Sequence, residues 1–186
     1  MRSHHLSLGH LAALSLLLGC DQTSPVSQST TLSADDIPVA NAAGARPWKE
    51  SYHSTGTITA DAQCPSPLLL ESYQGSGTAT HTGKYSIVNS HCLNPATGAL
   101  TDGSFVKTAA NGDQLFGTYV GSASVIQPPS PIGVFGISGT LTFTGGTGRF
   151  NGATGTTTMS GTEQADFSQS PIATQVELTM VGEISY

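Results

Sequence analysis

The sequence predicts an all-β protein, an eight-stranded antiparallel up-and-down barrel, with a β-sandwich as the alternative. Three observations lead there. The composition is the first: 22 glycines, 10 prolines and only 10% charged residues, with Ser and Thr abundant. That is rich in strand and turn formers and poor in helix formers. The second is a period of two. Leu141 and Phe143 fall on one face, Thr140, Thr142 and Thr144 on the other. Val176, Leu178, Met180 and Ile184 likewise alternate with Gln175, Glu177, Thr179 and Glu183. Such alternation marks half-buried strands. The third is a turn sequence between each pair of runs, which gives short connections. The 186 residues suit one domain once the ends are trimmed.

The strands follow in order. The first covers residues 50–60, with Tyr52, Ile58 and Ala60 on one face. The second, 68–80, is long and is expected to bend at Gly75 and Gly77, through a bulge or a close backbone approach. Thr82-Gly83 turns into the third, 84–92, and Asn94-Pro95-Ala96-Thr97-Gly98 into the fourth, 100–108. Asn111-Gly112 is the strongest hairpin signal and leads to the fifth, 114–122. Pro128, Pro129 and Pro131 form a loop. The sixth and seventh flank a glycine turn in residues 139–161, GTLTFTGGTGRFNGATGTTTMSG, the seventh holding Thr156, Thr157, Thr158 and Met159. Phe150 and Ala153 are the apolar side chains within that reversal and are expected to plug it onto the core. The eighth is 174–185.

Residues 1–19 read as an export signal, with Arg2 before an apolar run too short to span a bilayer comfortably. The run ends in Leu17-Leu18-Gly19-Cys20, which resembles a bacterial lipobox. That resemblance implies cleavage before Cys20, lipidation of its thiol and acylation of the new amine. Each buried CH₂ contributes about 0.8 kcal/mol, so two or three acyl chains hold firmly. Residues 20–47 then form the lipidated cysteine and a flexible tether, about 30 Å end to end as a random coil. The barrel domain is expected over 48–186. The location is the bacterial cell envelope, with membrane attachment through the lipid. A net charge of −6 with six Lys and Arg leaves no basic patch, which excludes nucleic acid as a partner.

Gly145-Gly146-Thr147-Gly148-Arg149-Phe150-Asn151-Gly152-Ala153-Thr154-Gly155 resembles the G-G-T-G-x-F-x-x-A-x-G signature of the allene oxide cyclase and dirigent proteins, a calycin-type barrel family. The structural positions are Gly145, Gly146, Gly148, Phe150, Ala153 and Gly155. The resemblance implies an eight-stranded barrel. It further implies either a cyclase or isomerase acting on an unsaturated fatty-acid epoxide, or a protein that steers radical coupling, and it hints at oligomers. The match is confined to this turn, so no active-site residue is carried over and the catalytic set is unknown.

With Cys20 lipidated, Cys64 and Cys92 are an even pair in an oxidising compartment and are expected to form a disulfide. Free thiols or metal ligands are the alternatives; no spacing supports zinc, and no metal or cofactor is assigned. His53, His81 and His91 read as surface or singly satisfied side chains. Glu71, in an apolar and aromatic stretch with Tyr73, either points outward or faces a lumen, where burial would raise its pKa. Arg149 reads as a turn residue or as a guanidinium at the barrel mouth. Phe143, with Tyr73, Tyr85, Phe105, Phe116, Tyr119 and Phe135, lines either a cavity or a plain core. The leading expectation is a lipid-anchored, non-catalytic barrel binding a small apolar ligand or a partner. An enzyme and a structural surface module are the alternatives. Lumen polarity discriminates among them.

Overall fold

The computed structural model describes residues 44–186; the signal, Cys20 and most of the tether lie outside them. Eight strands run in sequence: β1 (Arg46–Thr59), β2 (Leu69–Ala79), β3 (Gly83–Leu93), β4 (Ala99–Ala109), β5 (Gln114–Gln127), β6 (Ile132–Gly146), β7 (Thr154–Asp166) and β8 (Ile172–Ser185). Each pairs antiparallel with the next, and β8 pairs with β1 to close the barrel. The fold is the up-and-down barrel, not the sandwich.

Several boundaries differ from the sequence reading. β1 starts at Arg46, because Arg46 and Pro47 pair with Ile184 and Glu183. The barrel therefore begins before residue 48. β5 continues to Gln127, its outer half paired with β6 across Ser124–Gly136 and Val125–Phe135. β7 extends from Thr154 to Asp166, far beyond Met159. Gly75 and Gly77 form no bulge, their ladders being uninterrupted on both sides, but each is a close backbone approach: a methyl group there would collide with the carbonyl oxygen of His53 or Ser51. The register shifts lie instead at Ser90/Cys92, Leu100/Gly103, Phe116/Gly117 and Val125/Gln127.

What the interior glycines do is make room. The interior of an eight-stranded barrel is just wide enough to be filled by side chains or to hold one small ligand. Tyr73 stands directly across the ladder from Gly56, Tyr85 from Gly77, and Phe105 from Gly117. Tyr119 faces Gly103, and Phe143 faces Gly155. A methyl group at Gly117 would collide with the Phe105 ring, and one at Gly56 with Tyr73.

One end is plugged. Gly148, at φ 55°, opens a single 3₁₀ turn, Gly148–Phe150, that folds inward between β6 and β7. Phe150 and Ala153 are wholly buried there with Trp48, Leu115 and Ile184. At the other end Cys64 and Cys92 form a disulfide, Cα atoms 5.5 Å apart, joining the β1–β2 loop to the end of β3. It packs with Leu70 and Leu68 outside the main core.

Phe150→Ala should cost about 3–5 kcal/mol, because it leaves an unfillable cavity at the plug. Half-exposed Arg149→Ala should stay within about 0.5 kcal/mol of wild type. Urea unfolding of the two variants checks both, and similar midpoints would refute the plugging role.

Candidate functional site

Period two carries three glutamates inside the barrel: Glu50 on β1, Glu71 on β2 and Glu163 on β7. They make two polar layers. In the lower layer, nearer the plug, Lys107 Nζ donates to Glu50 Oε2 at 2.5 Å and Trp48 Nε1 donates to the same oxygen at 2.8 Å. The Tyr85 hydroxyl donates to the other oxygen, Oε1. Lys107 is fully buried, its ammonium 4.9–5.8 Å from the ring centres of Phe105, Trp48, Tyr85 and Phe143. Burial lowers its pKa, and the Glu50 charge partly opposes that shift. This layer is a matched ion pair whose carboxylate accepts on both oxygens and whose ammonium otherwise faces aromatic rings.

The upper layer differs. The Tyr73 hydroxyl lies 2.9 Å from Glu71 Oε2 and 2.8 Å from Glu163 Oε1. A phenol has one proton to give. If Tyr73 donates to Glu71, Glu163 must bring its own proton and donate to the phenol oxygen. The pKa of Glu163 is raised from 4.5 to about 8, chiefly by burial and next by the charge of Glu71. That makes Glu163 the protonated partner at neutral pH. His91 Nε2 contacts Glu71 Oε2, and His91 Nδ1 lies 2.9 Å from the Tyr119 hydroxyl. Asn89 Nδ2 donates to that same hydroxyl at 3.1 Å. One consistent proton order follows. Asn89 donates to Tyr119, Tyr119 to His91, His91 to Glu71, Glu163 to Tyr73 and Tyr73 to Glu71. Burial also raises the phenol of Tyr52 to about 12 and pushes Tyr73 and Tyr119 well above 10, so all three remain donors.

Beside this network lies a cavity of about 30 Å³. That is room for one or two water-sized bodies. Its polar wall is Glu163, His91, Asn89, Tyr52, Tyr73 and Tyr119; the rest is apolar, including Phe105, Leu141, Met159 and Met180. Asn89 Oδ1 is buried without a hydrogen-bond partner, while the Ser54 and Thr174 hydroxyls lie beside the Tyr52 phenol and the Glu163 carboxyl. Buried polar atoms left unpaired are uncommon and call for an explanation. Chemically, the layer can donate and accept a proton within one enclosed space.

The sequence candidates distribute unevenly. Glu71 faces inward and joins the network through Tyr73. Phe143 is buried in the lower core against Trp48, ring centroids 4.9 Å apart. Arg149 is not in the lumen. The 3₁₀ turn sends it outward, 44% exposed, over the Phe150 ring and 3.6 Å from Asp113. Of the aromatic candidates, Tyr73, Phe105 and Tyr119 line the cavity, Tyr85 belongs to the lower layer, and Phe116 and Phe135 are half-buried. His53 is an outward side chain near Ser76, and His81 caps the plugged end at Pro47. His91 is not on the surface, because its place on the Tyr85–Ile87 face of β3 turns it inward. Among the described residues no group of three or more His, Cys, Asp or Glu could hold a metal ion. Glu163, Glu50 and Lys107 escaped the sequence reading. Their signal was register: Glu163 shares a face with Met159, Glu50 with Tyr52 and Lys107 with Phe105.

The fold and site define a class: a closed antiparallel barrel with an enclosed acid–base network beside a small cavity. No family model, characterised protein or solved structure matches the chain.

The Glu163 pKa fixes a stability slope. A carboxyl with a folded pKa above its unfolded one stabilises most at low pH and loses that contribution as pH rises. Thermal stability should therefore fall between about pH 5 and pH 8, and Glu163→Gln should flatten the slope. Melting curves across that window test it; an equal slope in the variant would place the titration elsewhere.

Proposed function

We propose that the chain is a lipid-anchored cell-envelope barrel that binds a small molecule in its upper lumen. The observation that supports it best is the contrast between the two layers. In the lower layer the charges are matched and both Glu50 oxygens are hydrogen-bonded. The upper one keeps a cavity, the unpaired acceptor Asn89 Oδ1 and a neutral carboxyl facing it. Most small-molecule sites combine an apolar lining with a few convergent polar groups. The cavity admits only a small guest as it stands. Met159 and Met180, both flexible thioethers, are the side chains best able to turn aside for a larger one.

Attachment through Cys20 rests on the lipobox resemblance, and its test is direct. Cys20→Ser should move the protein from the membrane pellet to the soluble fraction. Unchanged pelleting would refute the anchor. Binding is tested by native mass spectrometry of the gently purified full chain. A stoichiometric small-molecule adduct supports the reading; a clean unliganded mass, unchanged after incubation with lipid and small-metabolite mixtures, counts against it.

A second reading, catalysis, is favoured by the Glu71–Tyr73–Glu163 bridge alone. Two carboxyls with separated protonation states are the usual equipment of general acid–base chemistry. The resemblance at residues 145–155 would make the substrate an unsaturated fatty-acid epoxide. Isomerised product formed by the native chain and lost in Glu163→Gln supports this reading. Substrate returned unchanged by both overturns it.

A further inference from the structure

We infer that the upper lumen takes a small organic cation, a protonated amine, seated among Tyr52, Tyr73, Phe105 and Tyr119 against the Glu163 carboxylate. This rests on the lumen-binding reading and names the class of its ligand.

The barrel itself supplies the precedent. Its lower carboxylate, Glu50, is matched by an ammonium, Lys107 Nζ, surrounded by aromatic rings. The upper layer repeats the carboxyls and the aromatic wall. Yet of the five Lys and Arg among the described residues, Lys107 alone is buried. Two glutamates, Glu71 and Glu163, thus share one imidazole and no ammonium. The unmatched atoms point the same way. Glu163 and Asn89 both line the cavity, and the Asn89 Oδ1 acceptor is unpaired. A guest with N–H donors satisfies Asn89 Oδ1 and the Glu163 carboxylate. An anion would meet two carboxyls, and a purely apolar one would leave the acceptors unpaired.

Proton balance completes the argument. At neutral pH Glu163 holds a proton. When the cation arrives, that proton leaves to solvent and the carboxylate pairs with the ammonium, so the net charge of the lumen is unchanged. Glu163 on β7 is faced by Tyr52 and Ser54 from β1, by Glu71 and Tyr73 from β2, and by His91 from β3. Tyr119 of β5 and Thr174 of β8 complete its surroundings. None supplies a competing ammonium. Ligand and proton therefore compete for one site, and cation affinity should drop about tenfold per pH unit below about pH 8 and level off above it.

The test uses the full chain labelled with ¹³C at its methionine methyls, in phosphate buffer free of amines. Two of the three methionines, Met159 and Met180, line the cavity and report occupancy. The probes are methylammonium, methanol and acetate, matched in size and differing in charge. Methylammonium should shift both methyl signals saturably, at least tenfold more weakly at pH 6 than at pH 8. Glu163→Gln should weaken it tenfold or more and remove the pH dependence. Saturable shifts from methanol or acetate without methylammonium would overturn the cation and leave the lumen reading standing. Equal methylammonium affinity at the two pH values would also overturn it. Silence from all three probes overturns both.

Discussion

Everything inside this molecule depends on the width of an eight-stranded barrel. The lumen is too narrow for a large ring to meet a large ring across adjacent strands. The chain resolves this by setting glycine opposite each big ring: Gly56 to Tyr73, Gly77 to Tyr85, Gly117 to Phe105, Gly103 to Tyr119. Substituting either member of a pair changes the volume of a layer that cannot expand. The same constraint explains the composition. Many of the 22 glycines serve packing as much as turns, and the strand glycines that weaken a ladder entropically are compensated by aromatic burial.

The narrow lumen also dictates how polar groups can enter it. A charged group buried alone costs several kcal/mol, so a structure either pairs it or neutralises it. The barrel does one in each layer. Glu50 is paired, with Lys107, Trp48 and Tyr85 all donating to it. Glu163 is neutralised, because its burial and, next, the charge of Glu71 make ionisation expensive. Neutralisation by a proton is reversible near physiological pH, whereas a lysine held by the backbone is not. A group in that condition is available to a ligand in a way that Glu50 is not.

Much of the fold was legible in the sequence, and the site was only half legible. Alternation at Leu141–Phe143 and Val176–Ile184, with turn residues between runs, specifies antiparallel strands directly. The cysteine pair followed from parity and compartment. The plug followed from Phe150 and Ala153 standing alone among glycines. The lumen chemistry was hidden because charge argues locally for solvent. Glu50, Lys107, Glu163 and His91 each look like surface residues until strand register is known, and a slip of one residue would put them outside. The seventh strand was read too short, so the phase that puts Glu163 on the Met159 face was never counted. Arg149 fails for the opposite reason. It sits beside the most informative motif, but one 3₁₀ turn reverses its direction.

The two ends of the barrel are therefore unequal for a physical reason. The plugged end gathers wholly buried apolar volume, including Trp48, Phe143, Phe150, Leu115 and Ile184. That is where stability is concentrated, because fully buried large side chains contribute most per residue. The upper half spends part of that surplus on an unpaired amide oxygen, a neutral glutamic acid and a void. Local sequence rules fail in both halves, at Glu50 and Lys107 below and at Glu163 and His91 above. An aliphatic side chain at residue 163 would fill part of the void and remove the cost of burying a carboxyl. Glu163 beside Glu71 and Tyr73 instead sets an exchangeable proton next to an open space, and that is the feature on which the lumen-binding proposal rests.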